Sequence, residues 1–170
     1  MALSRDREID IAVASRVLPL IPSPDAKAYL IRLSIQPQHP LLGHYQSGQF
    51  CPSDYGTIVA DEWVRSAANR KGIEIDQWIV TPNSLQGIVF IQTPDSTVTC
   101  AGFDHSSIHQ KPWILSSFIA SFKAAAAKRI NLRRNQLGQP VWQRNYQEQL
   151  ISDDISLAYL RHQLQDMKEI

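Results

Sequence analysis

The chain reads as an α+β protein built around an antiparallel sheet, and three observations lead there. Apolar residues alternate with more polar ones over 27–36, two further strand-like runs are joined by a short Pro82-Asn83-Ser84 turn, and an apolar stripe at helical spacing covers 116–132. At 170 residues the chain is long enough for one domain with a sizeable core and short for two. A hydrophobic fraction of 44% beside 19% charged residues suits a soluble globular protein.

Residues 1–24 form an expected N-terminal arm, because Pro19, Pro22 and Pro24 break any regular element there; 25–170 is the expected domain. In the first strand, over Lys27–Gln36, the residues Tyr29, Ile31, Leu33 and Ile35 share one face. A loop rich in Pro, His and Gly follows to about Gly48. Asp54 or Thr57 is the expected cap of a helix over 56–70, whose stripe is Ile58, Val59, Trp63 and Ala67. Strands at Ile75–Val80 and Leu85–Ile91 make a hairpin, and Thr97–Ala101 is a short further strand. The next helix, 116–132, presents Phe118, Ile119, Phe122, Ala126 and Ile130, with Ser116 or Ser117 to cap it. After an Asn135–Pro140 loop, a strand over Val141–Tyr146 and a helix from Ser152-Asp153-Asp154 to about Met167 complete the chain. The order β-α-β-β-α-β-α gives a ferredoxin-like antiparallel sheet with two helices packed on one face, plus the arm and a C-terminal helix. Trp63, Phe118 and Phe122 should be buried.

No apolar run reaches the roughly 20 residues of a membrane-spanning helix, and the N-terminal MALSRDREID is too charged for a secretory signal. Cys51 and Cys100 are the only cysteines, which excludes a disulfide scaffold or a four-cysteine zinc site. The expected location is the cytoplasm. Dinucleotide, phosphate-loop and nucleophile-elbow motifs are absent. Asp104, His105 and His109 lie close together, but in a loop and without a further ligand. Seventeen basic residues against sixteen acidic ones leave a net charge of +1, so whole-molecule charge calls for no polyanion. The distribution does. No Asp or Glu stands between Asp104 and Glu148, whereas Lys111, Lys123, Lys128, Arg129, Arg133, Arg134 and Arg144 do. Such a block is a local field able to attract phosphates, or else a solvated helix face.

Three stretches, taken in order, carry a family resemblance: Gly56-Thr57-Ile58-Val59-Ala60-Asp61-Glu62-Trp63; Val80-Thr81-Pro82-Asn83-Ser84-Leu85-Gln86-Gly87-Ile88; and Ser116-Ser117-Phe118-Ile119 through Lys128-Arg129-Ile130-Asn131 to Val141-Trp142-Gln143-Arg144-Asn145-Tyr146. Over roughly Ala28 to Ile151 the chain resembles the REP-associated, single-tyrosine HUH transposases. That resemblance implies a small ferredoxin-like domain, often dimeric, that binds single-stranded DNA hairpins. It also implies two histidines after the Pro-Asn turn that hold a divalent cation, and a tyrosine on the last helix that attacks the phosphate.

The chain departs from that pattern at each catalytic point. The two metal-ligand positions hold Ser84 and Gln86, neutral groups that compare poorly with imidazoles. The nucleophile position holds Gln163, one helical turn after Tyr159. The expectation is therefore a pseudoenzyme with no catalytic residue, metal or cofactor. It would bind single-stranded or hairpin nucleic acid through Lys123, Lys128, Arg129, Arg133, Arg134 and Arg144, with Trp113, Trp142 or Tyr146 available to stack on bases. For Trp142 a core position is the better reading. A protein-interaction module using the fold as a scaffold in a larger complex is the alternative. A nuclease built on Tyr159 with Asp104, His105 and His109 is a third. A homodimer is among the assemblies the resemblance implies.

Overall fold

A computed structural model describes residues 25–37, 42–92 and 113–169. The expected arm, the expected strand at 97–101, Cys100, Asp104, His105, His109 and Lys111 lie outside the described residues. The elements are β1 (Ala26–Ser34), β2 (Gly43–Gln46), β3 (Gln49–Pro52), α1 (Asp54–Ala68), β4 (Ile73–Thr81), β5 (Ser84–Gln92), α2 (Trp113–Arg133), β6 (Gln147–Ile151) and α3 (Asp154–Glu169). Four of the strands make one sheet in the order β4-β5-β1-β6, antiparallel at each of its pairings. This is the expected α+β, ferredoxin-like layer.

Strand alternation divides the sheet residues between two cores. On one face Tyr29, Ile31, Leu33, Trp78, Val80, Leu85, Val89 and Ile91 meet α1 and α2. Trp63 of α1 has no exposed surface, and its ring lies 5.2 Å from Phe118 and 5.0 Å from Phe122 of α2. The expected burial of all three aromatics holds. Complete burial of such side chains is worth roughly 2–3 kcal/mol each. On the opposite face Ala28, Ile79, Ile88, Phe90 and Ile151 pack against Leu157 and Leu164 of α3. The C-terminal helix is thus the lid of a second, smaller core.

Several boundaries differ from the sequence reading, for local reasons. Ser53, not Asp54 or Thr57, caps α1: its backbone is extended and its hydroxyl accepts from the Gly56 N–H at 3.2 Å. Gly56 itself sits so close to the Leu42 carbonyl that a β-carbon has no room. The α2 helix begins at Trp113, so Ser116 and Ser117 are not caps but lie inside it. Ser117 instead accepts a hydrogen bond from the Arg70 guanidinium at 3.0 Å, joining the turn after α1 to α2. The loop after β1 contains a hairpin, β2–β3, turned by Ser47 and Gly48, both with positive φ. Val141–Tyr146 is not a strand. It makes a single bridge, Trp142 to Ile35, and the edge strand β6 starts at Gln147. The largely polar, exposed Gln147–Leu150 run has no apolar alternation to announce it.

Candidate nucleic-acid interface

At 100° per residue, α2 directs Leu115, Phe118, Phe122 and Ala126 toward the sheet and distributes its cations around the remaining circumference. Lys123 and Arg129 fall on opposite flanks. Lys128 points away from the core and is exposed. The block that is continuous in sequence is therefore divided in space.

Helix α1 faces one flank with carboxylates. Arg129 Nη1 reaches Asp61 at 2.5 Å and Glu62 at 2.9 Å, where the Glu62 side chain is only 13% exposed. Burial alone would lower the Arg129 pKa, but hydrogen bonds and charge from Glu62 and Asp61 outweigh it and hold it above its ordinary value. One turn on, Arg133 meets Asp54 at 2.6 Å, both side chains exposed. The absence of acidic residues within the block thus does not carry over into space, where α1 supplies three. Arg134 turns back along the helix end, its Nε donating to the side-chain Oδ1 of the buried Asn131 at 2.8 Å.

The other flank carries Lys123 and Arg144. The Lys123 ammonium donates to the Gln143 and Arg144 carbonyls at 2.6 and 3.1 Å, and partial burial lowers its pKa. It thereby fixes the segment leading into β6. The Arg144 side chain is exposed. Trp142 is a core residue, as expected: its ring lies 5.5 Å from Phe122 and its indole N–H donates to the Lys123 carbonyl. Tyr146 packs half-buried against the same core. Trp113, 78% exposed, keeps the accessible ring that base stacking requires.

The positions that the resemblance assigns to metal lie at the start of β5. Ser84 has no exposed surface, and its hydroxyl is 2.7 Å from that of Thr81 across the turn. Its backbone N–H also donates to Thr81 Oγ1. Gln86 is half-buried one pleat further along the same face. Gln163 is exposed on α3, and its amide donates to the Tyr159 hydroxyl at 2.6 Å. Among the described residues no three His, Cys, Asp or Glu side chains converge.

One cation absent from the sequence-derived set is placed on the sheet itself. Arg32 lies in β1 directly opposite Gln86 of β5 and Gln147 of β6. Arg32 and Gln147 are exposed, and among the described residues no hydrogen bond or ion pair engages the Arg32 guanidinium. The signal for it was present: Ala28, Leu30, Arg32 and Ser34 form the second face of β1, which turns from apolar to polar at Arg32.

No family model matches the chain. It is 27% identical over 142 residues to an uncharacterized protein of Haemophilus influenzae, covering 81% of this chain and 78% of that one. Among solved structures it is similar to a REP-associated tyrosine transposase bound to a REP hairpin, with a TM-score of 0.51 and 13% identity. That superposition covers 85% of this chain but 66% of the transposase, just under two thirds of its length. At such identity the likeness is one of fold. The four-stranded antiparallel sheet, with α1 and α2 on one face and α3 on the other, is a transposase-like fold.

Proposed function

We propose that this protein is a catalytically inactive, domesticated transposase-like protein that binds single-stranded or hairpin nucleic acid and does not cut it. The observation that carries the inactive part is Ser84, buried without exposed surface and hydrogen-bonded to Thr81 where the resemblance expects a metal ligand. A hydroxyl in that setting is a neutral donor or acceptor in a turn, with no imidazole lone pair to offer a cation. Gln163 adds a second absence, since an amide supplies no phenolate to attack phosphorus. Binding is supported by the exposed Lys128 and Arg144 and by a fold whose solved neighbour holds a REP hairpin. Phosphate contacts through such side chains give affinity with little sequence information.

The test is a labelled hairpin titrated with protein in magnesium or manganese and again in a chelator, with a denaturing gel run on the same samples. Binding should be equal in both and the strand intact. Metal-dependent nicking, lost on Tyr159→Phe, would overturn the inactive reading and favour a rearranged nuclease.

The protein-interaction alternative rests on α3. Its outer side exposes Ile155 by 84% and Tyr159 by 61%, one helical turn apart. Stoichiometric co-purification of a protein partner, lost on Ile155→Asp and with no oligonucleotide affinity at physiological salt, would favour that reading instead.

A further inference from the structure

We infer that the open end of the α3-side sheet face, centred on Arg32 between Gln86 and Gln147, is an anion platform that seats a backbone phosphate of a nucleic-acid strand; this deepens the nucleic-acid reading and rests on it. The register fixes the arrangement. Arg32 is paired with Gln86 on one side and Gln147 on the other, so three polar side chains stand in one row across β5, β1 and β6. Directly opposed residues in antiparallel strands hold their β-carbons about 5 Å apart, within reach of a common ligand. The rows on either side of this one set its limits. Toward α3 lie Ile88 and Leu30, which belong to the second core, and toward the β4–β5 turn lie Ser84 and Ser34. No Asp or Glu of β1 or β5 occupies these rows, the nearest β6 carboxylate, Glu148, alternates to the opposite face beside Tyr29, and the β4 carboxylate on this face, Asp76, is buried and paired with Arg161.

The chemistry favours a nucleic-acid strand. A guanidinium offers a planar fork of N–H donors that matches two phosphate oxygens, and the flanking amides add neutral donors and acceptors suited to exposed base edges. Arg144 lies in the segment that enters this end of the sheet. It stands three positions before Gln147, and the preceding Gln143 N–H donates to the Ser34 carbonyl at 2.9 Å. The backbone that carries Arg144 is thus held at the same end of the sheet as Arg32. Arg32 also occupies the row of Gln86, so a cationic side chain stands beside a position that the resemblance gives to a metal ligand.

The experiment is fluorescence anisotropy of a labelled oligothymidine and a labelled hairpin over a salt series, with the full chain and its Arg32→Gln, Arg32→Lys and Gln147→Glu variants. Arg32→Gln should lose about fivefold in affinity near 0.1 M salt and flatten the slope of log affinity on log salt by about 0.7, one phosphate contact. Arg32→Lys should keep the slope. Gln147→Glu, which puts a negative charge into the row, should weaken binding at least as much as Arg32→Gln. The side-chain amide signals of Gln86 and Gln147 should shift on adding oligothymidine to the parent and stay still in Arg32→Gln. If the parent binds with a salt-dependent slope that Arg32→Gln leaves unchanged, the platform falls and nucleic-acid binding elsewhere stands. If the parent binds neither oligonucleotide, both readings fall together. Arg32-dependent binding of polyglutamate without oligonucleotide binding would overturn the proposal in favour of an acidic protein partner.

Discussion

Asn135 shows how one residue directs the chain out of a helix. It follows α2 with a φ of 55°, its N–H bonds to the Leu132 carbonyl, and the next N–H, of Gln136, bonds to Asn131. This pair of bonds is the Schellman ending, which requires a left-handed residue and usually takes glycine. Asn131 completes it from inside, donating through its side-chain amide to the Gln139 carbonyl while accepting from Arg134. Asn135→Gly should therefore raise stability by up to about 1 kcal/mol, and Asn135→Val should lower it by more than about 1 kcal/mol, because a branched side chain is strained at positive φ. Chemical denaturation of the two variants checks both signs. The Asn135–Pro140 loop was legible in the sequence from Asn135, Gly138 and Pro140. The role of Asn131 was not, because a buried asparagine reads like any polar helix residue until its partners are known. Gly87 is the second position where a single atom decides. A β-carbon there would stand 2.7 Å from that of Trp78, at the end of the β4 irregularity, so Gly87→Val should cost several kcal/mol by overpacking the strand pair.

Among the elements, α3 was well placed by the sequence and poorly oriented by it. Its start was legible because Asp153 is a good cap: the side chain accepts from the Ser156 N–H and hydroxyl, each at 2.8 Å. Those bonds, backbone first, hold the Asp153 carboxyl below its ordinary pKa. A carboxyl depressed in the folded state stabilises fully above its unfolded pKa of about 3.9, and the contribution disappears as pH falls through the folded value. The first turn of α3 should accordingly open to amide exchange in acid before the sheet does, and Asp153→Asn should blunt that pH dependence. What the sequence could not show is the face that α3 covers, because its anchor is distant. Arg161 Nε meets Asp76 of β4 at 2.5 Å, with the carboxylate only 2% exposed, and the guanidinium lies over the Phe90 ring. Lys168 beside it donates to Gln77, and burial lowers its pKa while the Asp76 charge opposes that shift. Removing one partner of a buried pair leaves a charge without compensation. Asp76→Ala should thus destabilise by about 3 kcal/mol, and Asp76→Leu with Arg161→Met should recover much of that loss in a denaturation series.

At the scale of the whole molecule, local periodicity was enough for three of the four sheet strands and for the two main helices, but not for the polar edge strand β6. It was not enough for the charge distribution, which depends on what packs beside α2. In sequence, Arg129 and Arg133 stand four residues apart on α2 within a block free of acidic residues, a spacing that alone would offer two phosphate contacts. Packing α1 beside them changes the expectation. Arg129 answers Asp61 and Glu62, Arg133 answers Asp54, and a cation already paired releases fewer condensed counterions from a nucleic acid. Lys128 and Arg144 are exposed and make no such pair among the described residues. Two double variants separate the cases. Lys128→Ala with Arg144→Ala should flatten the single-strand salt slope by about 1.4 at unchanged stability. Arg129→Ala with Arg133→Ala should change the slope by less than about 0.7, one contact, and should cost about 1–2 kcal/mol of stability, because Glu62 is left half-desolvated without its partner. An equal flattening by both pairs, with stability untouched in each, would mean that the α1 carboxylates give up their arginines when a strand arrives. The field along α2 would then be the continuous one its sequence suggests.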